Sequence, residues 1–485
     1  MLRAASSGPF SLAFRKAHMS PHASLARPDL RVQSWLSVAV LVFAGLLGGG
    51  QGGLGDTLVQ LLALALLGWM AWAAGRARLH WQGPGWARWL PLLALVPVAI
   101  QLLPVPASLW AASPVRAELG AQLQLAGVVH ARALSLNPGA TEHALWSLLP
   151  ACALFVSVLA LTPSWQRRLL GVIVGIALCS FVFGLLQLSD GEASALRFYY
   201  PTNPNSAVGF FANSNHLASL FVLSLPLVLV AAGWAVSERL AGRELSLAWP
   251  LAATVAIVLL ILGIALSKSR AGLLLGMVAL LGSLPIVLAL RRQRGTRRLL
   301  AVVLGLAMVV TVQFALFGIL QRMQADPLDD GRWHIAEVTG EAARAHAPLG
   351  SGFGTFRQAY QPFELRSTPQ SEIVNHAHDD YLEAWLEGGW PAVGAMLVAA
   401  LAWLALGLQL WRRGPAPGER GHSQRLLART AYLAASLPLL HSALDYPLRT
   451  TAMMSVFAVL AATAFAGWPR PVGAASAATN RIGAG

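Results

Sequence analysis

Long apolar runs separated by short polar turns fill this chain from residue 33 to residue 468. A helix rises 1.5 Å per residue, so ~20 apolar residues are needed to cross a hydrocarbon core ~30 Å thick. Runs near that length predict spans at 33–49, 56–74, 86–103, 143–162, 169–188, 216–236, 248–267, 271–290, 299–319, 389–411, 429–446 and 450–468. The expected fold is an all-α polytopic membrane protein of about 12 transmembrane helices. One interval breaks the rhythm. Residues 320–388 are far longer than a turn and contain Trp333, Phe353, Phe356, Tyr360, Phe363, Tyr381 and Trp385. Such aromatic content argues against a disordered linker and for a large helical loop folded onto the bundle. The pattern divides the chain into an N-terminal segment (1–32), a bundle of about nine spans (33–319), the long loop (320–388), C-terminal helices (389–468) and a tail (469–485).

Composition strengthens this picture. Hydrophobic residues make up 56% of the chain and charged ones 12%, about half the charge of a soluble domain. The net charge of +14 raises the question of nucleic acid. The distribution of that charge answers it, because Lys and Arg accumulate in cytoplasmic loops of membrane proteins. With a cytoplasmic N-terminus, alternation puts 24 of the 35 basic residues but only 4 of the 21 acidic ones on the cytoplasmic side. Both termini are then cytoplasmic. Segments 104–142, 189–215, 320–388 and 446–450 face outward, with the turn at Ser267–Arg270. No nucleic-acid partner is expected; the lipid bilayer is. The basic lead of Arg15, Lys16, Arg27 and Arg31 runs into an apolar stretch without a small-residue cleavage signature, which reads as an uncleaved first span. Cys152 and Cys179 both lie in apolar runs, so neither a disulfide nor a metal cluster is expected.

Three outward segments carry polar groups that turns and caps do not fully explain. Ser267-Lys268-Ser269-Arg270 sits between two apolar runs, where a cation must reach an interface or a wet cavity. Snorkelling to headgroups is the plain alternative, although it favours the cytoplasmic side. The second segment, Asn203 to Leu217, is dense in amides; Ser214 or Asn215 would cap the following span, and Arg197 lies just upstream. The third is Asn375-His376-Ala377-His378-Asp379-Asp380, followed by a short amphipathic helix ending at Gly388-Gly389. Carboxylates suit a helix N-terminus, and a histidine flanked by them suits a general base. His-x-His-x-Asp also occurs in metallo-hydrolases, but there it follows a strand with further ligands nearby, so no metal is expected here.

Taken in order, Gln101–Pro106, Gly209–Asn215, Ser269-Arg270, Arg332-Trp333, Leu349–Phe356, His376–Gly388 and His441–Pro447 resemble the O-antigen ligase and O-antigen polymerase superfamily. The chain departs from many members in having Asp379, not Asn, after His378. The resemblance implies a GT-C-like, metal-independent, inverting glycosyltransferase of the bacterial inner membrane that needs no cofactor. Its donor would be an undecaprenyl-diphosphate-linked glycan at the periplasmic face, and its acceptor a glycan or lipid A-core hydroxyl. Arg270 and Arg332 are the leading diphosphate ligands, with Lys268 and Arg197 behind them, since guanidinium forks match phosphate oxygens. His378 is the candidate base, with His376 second; Asn215, Asp380 and Asp445 are supporting residues. A twelve-span secondary transporter is the alternative, but such proteins carry ionisable residues and broken helices at the midplane of repeated halves, and no repeated halves are found. A cysteine introduced in place of His378 is expected to react with an impermeant thiol reagent from the outer side; reaction only after the membrane is breached would reverse the orientation.

Overall fold

The computed structural model describes residues 28–50, 52–111, 113–128, 132–192, 194–200, 203, 205–240, 246–290, 305, 331–364, 373–412 and 421–468. The predicted span at 299–319 (residue 305 apart), the basic run 291–298, both chain termini, and residues 320–330 and 365–372 of the long loop lie outside them.

The described chain is helical nearly throughout. The apolar runs form α1 (Pro28–Leu47), α2 (Leu54–Gly75), α3 (Leu92–Ile100), α6 (Pro138–Ala160), α7 (Pro163–Asp190), α8 (Ser214–Leu240), α9 (Ala248–Leu266) and α10 (Arg270–Leu288). Between α3 and α6 come two short helices, α4 (Ala107–Trp110) and α5 (Pro114–Leu125). After α10 come α11 (Arg332–His346), α12 (Phe356–Tyr360), α13 (Asp380–Trp411), α14 (His422–His441) and α15 (Thr451–Ala466). Eight of these helices (α1, α2, α6, α7, α8, α9, α10 and α13) are long and apolar enough to cross a membrane. The predicted third span is shorter than its run suggests. Trp86 and the residues after it form one 3-10 turn, and Pro97 interrupts the short α3.

Helix starts follow the local chemistry. Pro occupies the first positions of α5, α6 and α7, where its missing N–H costs nothing. Ser113, Asn137, Ser269 and Thr450 each accept an N–H of the first turn of the following helix. At α8 the capping residue is Asn213, not Ser214 or Asn215: its Oδ1 accepts from Asn215 N at 2.8 Å. α15 lies at the centre. It packs on α1, α6, α7 and α14, and nearly all its residues are buried.

The segments expected to face outward gather at one end of the bundle. Gln101 reaches from the end of α3 to the Glu387 carbonyl at 2.8 Å and accepts from Phe353 N at 2.9 Å. Leu136 N donates to the Ser351 carbonyl at 2.8 Å, and Lys268 Nζ to the Asn205 carbonyl at 2.7 Å. Two-residue strands at Pro104–Val105 and Arg132–Ala133 pair antiparallel here, a small ladder that apolar periodicity does not reveal. The long loop contributes a second core of Ile335, Val338, Ala342, Phe356, Tyr360 and Leu386.

α13 is two helical segments that meet at Gly388-Gly389, where the sequence placed the end of a short amphipathic helix. It turns sharply there, with Gly389 at φ 60° and ψ −155°, and continues to Trp411. A Cβ on Gly389 would collide with the Pro348 carbonyl oxygen, and one on the facing Gly350 would collide with the Glu387 carbonyl oxygen. The two glycines let the loop and the bent helix touch backbone to backbone. Gly389→Ala is expected to destabilise the protein by about 1–3 kcal/mol, through strain and displacement of the loop together. A melting temperature in detergent equal to that of the unchanged protein would contradict this.

Candidate functional site

The site is built around the turn that precedes α13. Asp379 Oδ1 accepts from Tyr381 N and Leu382 N, both at 2.9 Å, and so caps the helix. This sets the direction of the chain before it and leaves His378 at φ 52°. A non-glycine residue in that region is strained and persists only where its surroundings hold it. Here the holder is Asp445, whose Oδ1 lies 3.3 Å from His378 Nδ1.

Asp445 is fully buried between α14 and α15. Its Oδ2 accepts from Asn215 Nδ2, and its Oδ1 also accepts from Tyr446 N. Burial alone would raise its pKa, but the hydrogen bond from His378 and the charges of nearby histidines and Arg332 hold it well below the ordinary carboxylate value. An ionised carboxylate only accepts, so His378 Nδ1 donates to Asp445 and Nε2 is the ring nitrogen turned away from it. The His378 side chain is 27% exposed, which leaves that nitrogen room to meet a substrate.

His376 is enclosed instead. Its Nδ1 lies 2.9 Å from Glu383 Oε1, and its ring stacks on Tyr446 with centroids 4.2 Å apart. Tyr446 also meets His378 edge-on at 5.1 Å and His216 at 5.0 Å, while Asn213 Nδ2 donates to its hydroxyl at 3.4 Å. A tyrosine ring thus keeps three imidazoles apart. Among the described residues no group of three or more His, Cys, Asp or Glu is placed to hold a metal ion.

Beneath this turn lies a buried ionic cluster. Arg449, in the short turn before α15, faces Asp380 at 3.4 Å, Glu383 at 3.2 Å and Glu387 at 2.6 Å. Burial would lower the basicity of its guanidinium, but the three carboxylates reverse that and raise it.

The candidate cations take different places. Arg332, at the first position of α11, donates from Nη1 to the Leu444 carbonyl at 3.1 Å and brings Nη2 to 4.0 Å from Asp445. Lys268, left-handed at φ 55°, is tied to Asn205 in the polar stretch before α8. Arg270 is exposed at the start of α10, two residues on. Arg197 lies in the turn after α7, where Gln187 Nε2 holds both the Leu196 and Gly209 carbonyls at 2.9 and 2.8 Å. Direct polar contacts therefore join His378, Asp445, Asn215 and Arg332, and a second set joins Asp380 to Arg449 directly and His376 to Arg449 through Glu383. Arg197 lies on the turn after α7, and Lys268 and Arg270 at the turn between α9 and α10.

Sequence reasoning gave no role to Glu383, Glu387, Tyr446 or Arg449. The signal for the first two was present: acidic residues at 380, 383 and 387 share one face of a helix and require a cation. Nothing local pointed to Arg449 as that cation.

Residues 255–399 match the family model described as O-antigen ligase. Over those residues the chain is similar to the O-antigen ligase family. The family is one of membrane glycosyltransferases of the ligase or polymerase type. The O-antigen ligase match takes in Lys268, Arg270, Arg332, His376 and His378; Asn215 lies before it, and Asp445, Tyr446 and Arg449 lie beyond it. No curated protein matches the chain.

The pairing of His376 with Glu383 has a pH signature. Burial would lower the histidine, but the Glu383 carboxylate outweighs it and raises it above the ordinary 6.5. The associated stabilisation is complete below pH 6.5 and is lost as pH rises through the raised value. Melting curves between about pH 6 and about pH 9 should therefore fall more steeply for the unchanged protein than for Glu383→Gln. Parallel curves would mean that the imidazole is not held charged.

Proposed function

We propose that this protein transfers a glycan from a polyprenyl diphosphate carrier, of the undecaprenyl type, to a sugar hydroxyl on the outer face of a bacterial inner membrane. The observation that carries the reading is the His378–Asp445 pair beside Arg332: a base with one nitrogen oriented and the other open, next to a guanidinium with an exposed side chain.

The chemistry needs these parts and little else. The acceptor hydroxyl attacks the anomeric carbon while its proton passes to His378 Nε2. The bond from that carbon to the diphosphate oxygen breaks, and its electron pair stays on the diphosphate. Arg332 and Arg270, with Lys268 and Arg197 behind them, stabilise the charge that develops there. Attack opposite the leaving group inverts the anomeric centre. Asp445 fixes the His378 tautomer and stabilises the imidazolium that forms, and Asn215 holds the second oxygen of Asp445. His376 serves as a support, because its ring is sandwiched on Tyr446 and its Nδ1 is committed to Glu383. No step requires a metal ion, since the cationic side chains supply the positive charge. A polymerase would take a growing glycan as acceptor and a ligase a lipid A-core sugar; the same base and diphosphate site serve both.

His378→Ala is expected to reduce transfer by about 10²–10⁴-fold. Arg332→Ala should reduce it by about 10²–10³-fold. Both should accumulate at normal levels. Purified protein supplied with a lipid-linked donor and a glycan acceptor provides the measurement. Undiminished product from the His378 variant would defeat the reading.

A further inference from the structure

The His378–Asp445 contact joins two turns that lie 67 residues apart, and at 3.3 Å it is already near the long limit for a hydrogen bond. A displacement of about 0.5 Å would abolish it, so something must fix the two turns against each other. Two bonds join the turns directly, Asp380 N to the Ser442 carbonyl at 2.8 Å and Tyr381 Oη to the Leu439 carbonyl at 2.7 Å. The buried ionic cluster acts through short polar bonds.

Each of its three carboxylates contacts Arg449 and also holds a backbone segment. Glu383 receives Ala377 N at 2.8 Å and the His376 ring at 2.9 Å, and so fixes the turn that carries His378. Asp380 Oδ2 receives Ser442 Oγ at 2.7 Å and Leu448 N at 3.2 Å, on either side of Asp445. Glu387 Oε1 receives Gly354 N at 2.9 Å and Phe356 N at 3.1 Å, which secures the glycine-rich loop. The carboxylates lie on one helix face and would repel one another without a shared counter-charge. Arg449 supplies it, and its planar fork reaches all three where an ammonium reaches fewer.

We propose that Arg449 is a positioning residue for the transfer reaction: by binding Asp380, Glu383 and Glu387 together it sets the separation of His378 from Asp445. This rests on the reading of His378 as the base. Arg449 touches no substrate; it acts on the rate of the chemical step through the orientation of the imidazole.

The test uses the purified full-length protein with a lipid-linked donor and a glycan acceptor, comparing Arg449→Met, Arg449→Lys, Asp445→Asn, His378→Ala and the double variant Asp445→Asn with Arg449→Met. Arg449→Met should lower kcat by about 30-fold or more with KM within about twofold. Arg449→Lys keeps the charge but not the fork, and should recover only a small part of that loss. In the Asp445→Asn background the Arg449→Met change should cost less than about threefold more, because the contact it positions is already gone. The proposal is overturned if Arg449→Met leaves kcat within about twofold, if its loss appears in KM, or if the two losses multiply. Should Arg449→Met fail to fold, Arg449→Lys and Asp380→Asn decide on the same criterion: a fall in kcat at constant KM supports it, and unchanged kcat in both overturns it. Full activity in His378→Ala would instead remove the functional reading on which it depends.

Discussion

A charge taken out of water must find its counter-charge in the protein, and that requirement organises the functional end of this molecule. In an apolar bundle an isolated carboxylate is prohibitively expensive, whereas a carboxylate facing a guanidinium is tolerated. Asp380, Glu383, Glu387 and Asp445 are all buried, and each has a cationic or imidazole partner. The polar centre therefore cannot be loose: to separate any two of its segments is to strand a charge. A rigid set of positions follows, which suits chemistry in which charge develops on a leaving diphosphate.

Much of the bundle was legible because lipid is a uniform solvent. Apolar length and Lys/Arg asymmetry are one-dimensional signals, and they located α1, α2 and α6 to α10 within a few residues. What they could not see was geometry set by backbone contacts. The stop at Gly388-Gly389 was legible, and Gly389 is non-helical there, but the direction in which the second segment of α13 leaves was not. The strand pair at 104–105 and 132–133 is too short to show any alternation. The predicted third span is divided between a 3-10 turn at Ala87–Trp89 and the nine-residue α3, although its apolarity alone looks sufficient.

The site was legible by type rather than by partnership. His378 and Asn215 stood out in polar segments that turns and caps do not explain, Arg332 and Asp445 came only with the family resemblance, and all four share one network. Arg449 did not stand out, because a single arginine at the mouth of a span is indistinguishable in sequence from a headgroup anchor. Its meaning lies in three residues more than sixty positions earlier. The same holds for Tyr446, whose role as a spacer among imidazoles exists only once the helices are assembled.

The base and its carboxylate are separated in the chain by α13 and α14, and the carboxylate arrives only on the short link into α15. During synthesis from the N-terminus, then, the imidazole is threaded and waits unaccompanied until the final hairpin docks. A nascent or prematurely ended polypeptide carries His378 and Arg332 without the carboxylate that joins them. Under the proposed function, commitment to catalysis is then a late event of biogenesis.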